Sequence, residues 1–315
     1  MKRKVVKHGT STFIISLPAK WVSRQGIARG DELNVVEEER ALIVTAQENS
    51  RIVRIEIDAT GLLPRLVDRF LARSYQKGYD EIILIHNDLA LLEVIKAKVH
   101  ELLGYEIIEQ DERKCLIKSI ALRLDFEFDT SLRRAFLLVK QMVEECAQFY
   151  QQGNKNGLTH IMQRDFDVNR LTYFCLRQIN KEHYVSKERT HQTHVLYYLI
   201  ESLEDLGDAV KQLADYLALI PHKKEMQAIL ATLVKHYASS YEYFYKPTRD
   251  LANNAYTLYK EINHQIIDYA AKKPSKEEVM GLIFIRDAAH VIYHFTTMRL
   301  DFLKGAHIEI GDRPA

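Results

Sequence analysis

The chain has 315 residues, 47% of them apolar and 28% charged, with a formal net charge of +1. No run approaches the roughly twenty apolar residues that a spanning helix needs, so no membrane insertion is expected. Cys115, Cys146 and Cys175 are odd in number and form no CxxC pair. That spacing speaks against a disulfide framework or a cysteine zinc site and fits reduced thiols in a cytoplasmic protein. The basic start lacks a following apolar segment of signal-peptide length, which also points to the cytoplasm.

Charge is distributed unevenly. Residues 1–30 hold Lys2, Arg3, Lys4, Lys7, Lys20, Arg24 and Arg29 and no acid, whereas Asp31, Glu32, Glu37, Glu38 and Glu39 follow directly. A near-neutral total therefore hides a basic front end suited to a polyanion. The same charge would also serve a solubilising terminus or a protein-binding module. Within residues 2–46 the pattern predicts strand, strand, helix, strand, strand. Val5 and Val6 and then Thr12 to Leu17 are β-branched or apolar, and Pro18 suits the first turn of a helix over Ala19–Gln25. Gly26 ends that helix, Arg29-Gly30-Asp31 turns the chain, and Glu32–Glu37 and Leu42–Thr45 read as strands. So short a module encloses little core, and two copies sharing one core predict a homodimer.

The next segment, residues 48–128, reads as a small α/β domain. Residues 51–58 alternate as a strand, and Leu62–Gln76 has helical spacing through Leu63, Leu66, Val67, Phe70 and Leu71. Glu81–His86 is almost continuously apolar, as a central strand is. Asn87 or Asp88 caps a helix running to Leu103, and Tyr105–Glu109 and Lys114–Ile120 form a strand pair around Asp111-Glu112-Arg113. The single Thr60-Gly61 is no phosphate loop.

From about Thr130 the period becomes 3.6. Helices are expected over 132–152, 158–181 and 193–220, then over 225–245, 249–271 and 275–303, with Pro221, Pro247 and Pro274 as punctuation. The two trios are similar in order and length, so two three-helix units are expected at 129–220 and 221–304, with a loose tail over 305–315. Asp287, His290 and His294 share one helix side at i, i+3 and i+7. Two histidines four apart have metal-ligand spacing, but without an HExxH context a polar seam is the simpler reading, and His191 and His194 carry the same ambiguity. The aromatic run Tyr241–Tyr245 reads either as an exposed partner patch or as amphipathic core edge. No nucleophile–base pair or nucleotide loop suggests an enzyme.

Two stretches carry resemblances. The front sequence KHGTSTFIISLPAKWV, with GIARGDELNVV and ALIV after it, resembles the SpoVT/AbrB-type domain, a swapped-hairpin β-barrel dimer that binds DNA. The resemblance implies duplex DNA contacts from Lys2, Arg3, Lys4, Lys7, His8, Thr10, Ser11 and Thr12, with Arg24 beside them. The helical half is similar to the PhoU family of phosphate-uptake regulators. RDFDVNRLTYFCLRQIN (Arg164–Asn180) resembles that family's D-x-E-V-D-x-L helix, ESLEDLGDAVKQLA (Glu201–Ala214) its E-R-I-G-D helix, and FIRDAAHVIYHF (Phe284–Phe295) takes the corresponding place in the second trio. Together the two resemble a group of archaeal regulators of phosphate homeostasis.

The PhoU likeness implies a divalent or trivalent metal ion in the first helical unit. Its ligands would be Glu204 and Asp208, at i and i+4, with Asp165 and Asp167 opposite. Asn169, Ile283, Asn253 and Asn254 depart from the acidic pattern, so a second such site is not expected. Implied partners are DNA, a second copy, and a phosphate transporter ATPase or a sensor kinase. The alternative is an adaptor that restrains phosphate uptake without touching DNA.

Overall fold

A computed structural model describes residues 2–38, 41–46, 52–120, 127–181 and 193–302. The predicted tail and His191 lie outside them. The chain divides into two compact units, Met1–Ile52 and Val53–Ala315.

The first unit is built of two hairpins and one short helix. Strand β1 (Val5–His8) pairs antiparallel with β2 (Thr12–Ile15), Val5 opposite Ile15 and His8 opposite Thr12. Helix α1 (Ala19–Gln25) follows Pro18, which sits one position before the helix as its cap, with an extended ψ of 121°. Gly26 ends the helix at φ 69°, a left-handed conformation that glycine adopts without a Cβ clash. Strands β3 (Leu33–Glu38) and β4 (Ala41–Ala46) form a second antiparallel pair. Among the described residues the two pairs are separate two-stranded sheets, and one chain closes no barrel.

In the second unit a four-stranded sheet has the order β5-β6-β8-β7, with β5 at Arg54–Asp58, β6 at Glu81–Ile85, β7 at Tyr105–Gln110 and β8 at Lys114–Ser119. β6 lies inside the sheet, parallel to β5 and antiparallel to β8, and its first four residues are buried. An internal position explains its unbroken apolar run. Helix α2 (Pro64–Gln76) begins on Pro64, whose missing N–H costs nothing in a first turn. Helix α3 spans Ala90–Glu101, and Asp88 accepts a bond from the Ala90 N–H at 2.8 Å. Val67, Leu71 and Tyr75 of α2, Ile95 and Val99 of α3, and Ile82, Leu84 and Ile117 of the sheet make the core of this layer.

Six long helices follow: α4 (Phe128–Gln151), α5 (Lys155–Asn180), α6 (Thr193–Leu217), α7 (Lys224–Tyr245), α8 (Arg249–Ala270) and α9 (Lys276–Met298). The predicted helices match them to within a few residues. Asn154 starts α5 three residues before Leu158 by accepting from the Gly157 N–H at 2.9 Å. Ser275 and Glu278 form a capping box at α9. The two trios are not separate bodies. One core runs through all six helices, with Phe136, Leu206, Tyr237, Ile262 and Phe295 among its members, and α4 packs on α7 while α6 packs on α9. Tyr237 donates its hydroxyl to the Phe136 carbonyl at 2.6 Å across that seam. The aromatic run belongs largely to the core edge: Tyr243 and Phe244 are buried, and Phe244 meets Phe136 at 5.1 Å between ring centres.

The sheet layer is fastened to α5 and α6 by side chains that cross between them. Tyr173 of α5 packs into the sheet core. Arg177, buried, donates to the carbonyls of Tyr75 (3.1 Å) and Tyr79 (2.9 Å) and to Asp80 Oδ1 (3.2 Å). Its guanidinium lies 5.1 and 4.9 Å from the Tyr75 and Tyr105 ring centres, and those two rings meet edge to face. Arg73 adds a bidentate bond to Glu201, and Asn180 donates to the Gln76 carbonyl at 2.9 Å. Replacing Arg177 with Met keeps the stem but removes one donor each from the Tyr75 and Tyr79 carbonyls and from Asp80, leaving them Gly78 N–H, the Tyr105 hydroxyl and Lys181 with Val53 N–H respectively. Arg177→Met is expected to cost about 3 kcal/mol, read as a lower urea midpoint with the same slope.

Candidate functional site

The first unit presents the basic surface. All nine residues singled out there are exposed: Lys2, Arg3, Lys4, Lys7, His8, Thr10, Ser11, Thr12 and Arg24. The β1–β2 hairpin brings Lys7, His8, Thr10, Ser11 and Thr12 together, with Gly9 at φ 68° turning the chain between the strands. Lys2, Arg3 and Lys4 extend from its open end, and Arg24 lies on the last turn of α1.

Register sorts the hairpin into two faces, because cross-strand partners share a face and neighbours alternate. Lys7 and Phe13 share one face with Val5 and Ile15, and His8 and Thr12 share the other with Val6 and Ile14. Both faces are therefore apolar near the open end; towards the tip one pairs Lys7 with Phe13 and the other carries the polar pair His8 and Thr12. Not one described side chain of this unit is buried. Val5 is 64% exposed, Phe13 68% and Leu42 66%. Sequence reasoning picked the polar residues and passed over these apolar ones, although their density in such short strands was the available signal.

The acidic residues lie in the second unit, on α5 and α6. Asp165 and Asp208 both bond Lys211, whose Nζ stands 2.6 Å from Asp165 Oδ2. Gly207 faces α5 there: a Cβ at that position would make ordinary contact with Asp165 Oδ1 and Val168 at 3.4 Å. Glu204 accepts from the Tyr173 hydroxyl at 3.2 Å and lies 4.0 Å from Arg69 of α2. Asp167 faces solvent. Beside them Lys98 of α3, itself buried, pairs with Glu101 and with Asp68 at 3.1 Å and lies over the Tyr173 ring. Among the described residues no three His, Cys, Asp or Glu side chains stand together to hold a metal. Asp165 and Asp208 do not fit a metal ion in this arrangement, because the Lys211 ammonium already bonds both carboxylates. Sequence reasoning did not single out Lys211, although it follows Asp208 at i+3.

Burial dominates the protonation of this seam. It lifts Glu204 to about 7, helped by the negative charge of Asp208 and opposed by Arg69. Burial also raises Asp165 in spite of Lys211, and raises Asp205.

Residues 6–52 match the family model described as "Antidote-toxin recognition MazE, bacterial antitoxin". The front of the chain is thus a MazE/AbrB-like domain, as its residues suggest. Among solved structures, the crystal structure of PhoU from Pseudomonas aeruginosa aligns with 56% of this chain and 94% of its own, at 12% identity and a TM-score of 0.46. No curated protein matches. No helix among the described residues is long and apolar enough to cross a membrane.

The raised Glu204 carboxyl has a testable sign. The folded state holds this proton more tightly than the unfolded chain does, so stability falls as pH rises from the ordinary glutamate value towards about 7. Glu204→Gln removes that penalty and keeps an acceptor for Tyr173. It is expected to gain about 1–2 kcal/mol near pH 8 and almost nothing near pH 4.5, measured by urea unfolding at the two pH values.

Proposed function

We propose that this chain is a dimeric, DNA-binding transcriptional regulator of phosphate uptake and homeostasis, with the helical half reading phosphate status. The observation that supports the proposal is the first unit, with seven cations and no acid in its first thirty residues and no buried side chain among its described residues. Two copies would cover Val5, Val6, Phe13, Ile15, Val35 and Leu42, each worth about 1.5–3 kcal/mol when fully buried, and complete a shared barrel. Lys2, Arg3, Lys4 and Lys7 would then neutralise phosphates and release counterions. His8, Thr10, Ser11 and Thr12 at the hairpin tip, with Arg24, would fix register on the duplex. The phosphate assignment rests on the PhoU-like helices read in the sequence.

A second reading is favoured by the description of the matching family, which names recognition of a toxin, itself a protein. On that reading the exposed strands dock a polypeptide. The helices hold a transporter ATPase or sensor kinase, and DNA is not a partner.

Fluorescence anisotropy with duplex DNA across a salt series separates the two. If both copies engage their four N-terminal cations, the slope of log K against log salt is expected near about −7. Arg3→Glu with Lys7→Glu is expected to abolish binding with an unchanged far-ultraviolet dichroism spectrum. Phe13→Asp is expected to give monomers in sedimentation equilibrium and to lose DNA with them. A stable dimer that binds no duplex at about 50 mM salt selects the protein-recognition reading.

A further inference from the structure

The histidine pair of α9 has a geometry that its sequence spacing did not disclose. His290 and His294 lie one helical turn apart on the same side, their ring centres 4.2 Å apart and their planes at 60°. His290 is exposed and His294 half-buried, so solvent reaches the pair. Each ring is held by a tyrosine from a different neighbouring helix. The Tyr259 hydroxyl of α8 stands 3.3 Å from His290 Nδ1, and the Tyr198 hydroxyl of α6 stands 3.5 Å from His294 Nδ1. Tyr259 is itself fixed, stacked on Tyr293 at 4.8 Å and 8°. Asp287, three residues earlier, adds no third ligand.

Two tyrosines on two Nδ1 atoms decide what remains. An imidazole that gives its Nδ1–H to a hydroxyl keeps its Nε2 lone pair for a ligand bond, and an outer partner on the other nitrogen is what orients histidines at metal centres. Among the described residues neither Nε2 has a hydrogen-bond partner. The seam expected from the sequence is therefore present, and in the tautomer whose Nδ1–H donates to the tyrosine each Nε2 keeps its lone pair.

We propose that His290 and His294 chelate one borderline divalent ion, copper(II), nickel(II) or zinc(II), through their two Nε2 atoms, with water completing the coordination. Metal–nitrogen bonds of about 2.0–2.1 Å place two imidazole centres about 4.5–5 Å apart, so the observed rings need to open by less than about 1 Å. Imidazole donors without carboxylates select these ions over magnesium and calcium, and copper(II) binds tightest. The ion would bridge one turn of α9 while the two tyrosines tie that turn to α6 and α8.

Copper(II) titrated into the full-length protein at about neutral pH in a non-chelating buffer tests this, with calorimetry for stoichiometry and electron paramagnetic resonance for the ligands. The full chain is expected to bind one equivalent more than the His290→Gln/His294→Gln double variant, with a two-nitrogen hyperfine pattern for that equivalent. Each single variant is expected to bind it about tenfold more weakly. Tyr198→Phe and Tyr259→Phe keep the stoichiometry and also weaken affinity, because they remove the orienting hydroxyls. Equal copper uptake by the full chain and the folded double variant overturns the proposal. Magnesium(II) binding as tight as copper(II) does the same.

Discussion

The constraint on which the molecule depends is that the described residues of its first unit enclose no interior. Strands of four to six residues and a helix of seven expose valine, phenylalanine and isoleucine on both faces of one hairpin. A patch of that kind is covered in a working protein. Lys7 and His8 lie on the same strands and Lys2, Arg3 and Lys4 lead into the first of them, so whatever covers the apolar faces also sets where these groups point. Any cover over the apolar faces and the placing of the polar groups are thus coupled through a single hairpin whose register alternates Lys7 and His8 to opposite sides.

The second unit solves the opposite problem. It has more helix than one core needs, and six helices converge on shared residues in place of two independent trios. The internal likeness of the trios remains in their lengths and order, while the packing of α4 on α7 and α6 on α9 merges them. Carboxylates fill the junction between this bundle and the sheet. They are paired with Lys211, Lys98 and Arg69, or kept partly protonated by burial, as Glu204 is.

Much of this was legible in the residues. Alternation gave the strands, the 3.6 period gave the helices, and Gly26 and Pro274 marked helix ends through chemistry that acts within a few positions. What was not legible depends on distance along the chain. Arg177 meets Tyr75 and Tyr79 about a hundred positions away, and no local pattern announces such a partner. Lys211 reads as a solvated lysine until α5 brings Asp165 against it. Helix α4 begins four residues before the predicted Leu132 because Phe128 is buried, while Glu127 makes no side-chain cap bond to mark the start. The tyrosine run divided between surface and interior because a phenol ring suits both. The His290–His294 pair was visible as spacing, but Tyr259 and Tyr198, which orient it, come from other helices.

The Arg177 fastening also bears on the order in which the polypeptide matures. The ribosome finishes the last strand at Ser119 well before it reaches Arg177, a gap of about 3–12 s at ordinary elongation rates. During that interval the carbonyls of Tyr75 and Tyr79 lack their buried donor, and the sheet lacks Tyr173. The nascent sheet therefore lacks these contacts with α5 until the second long helix has left the exit tunnel. A pause in translation between those two points would prolong the stage at which the chain is most prone to chaperone capture.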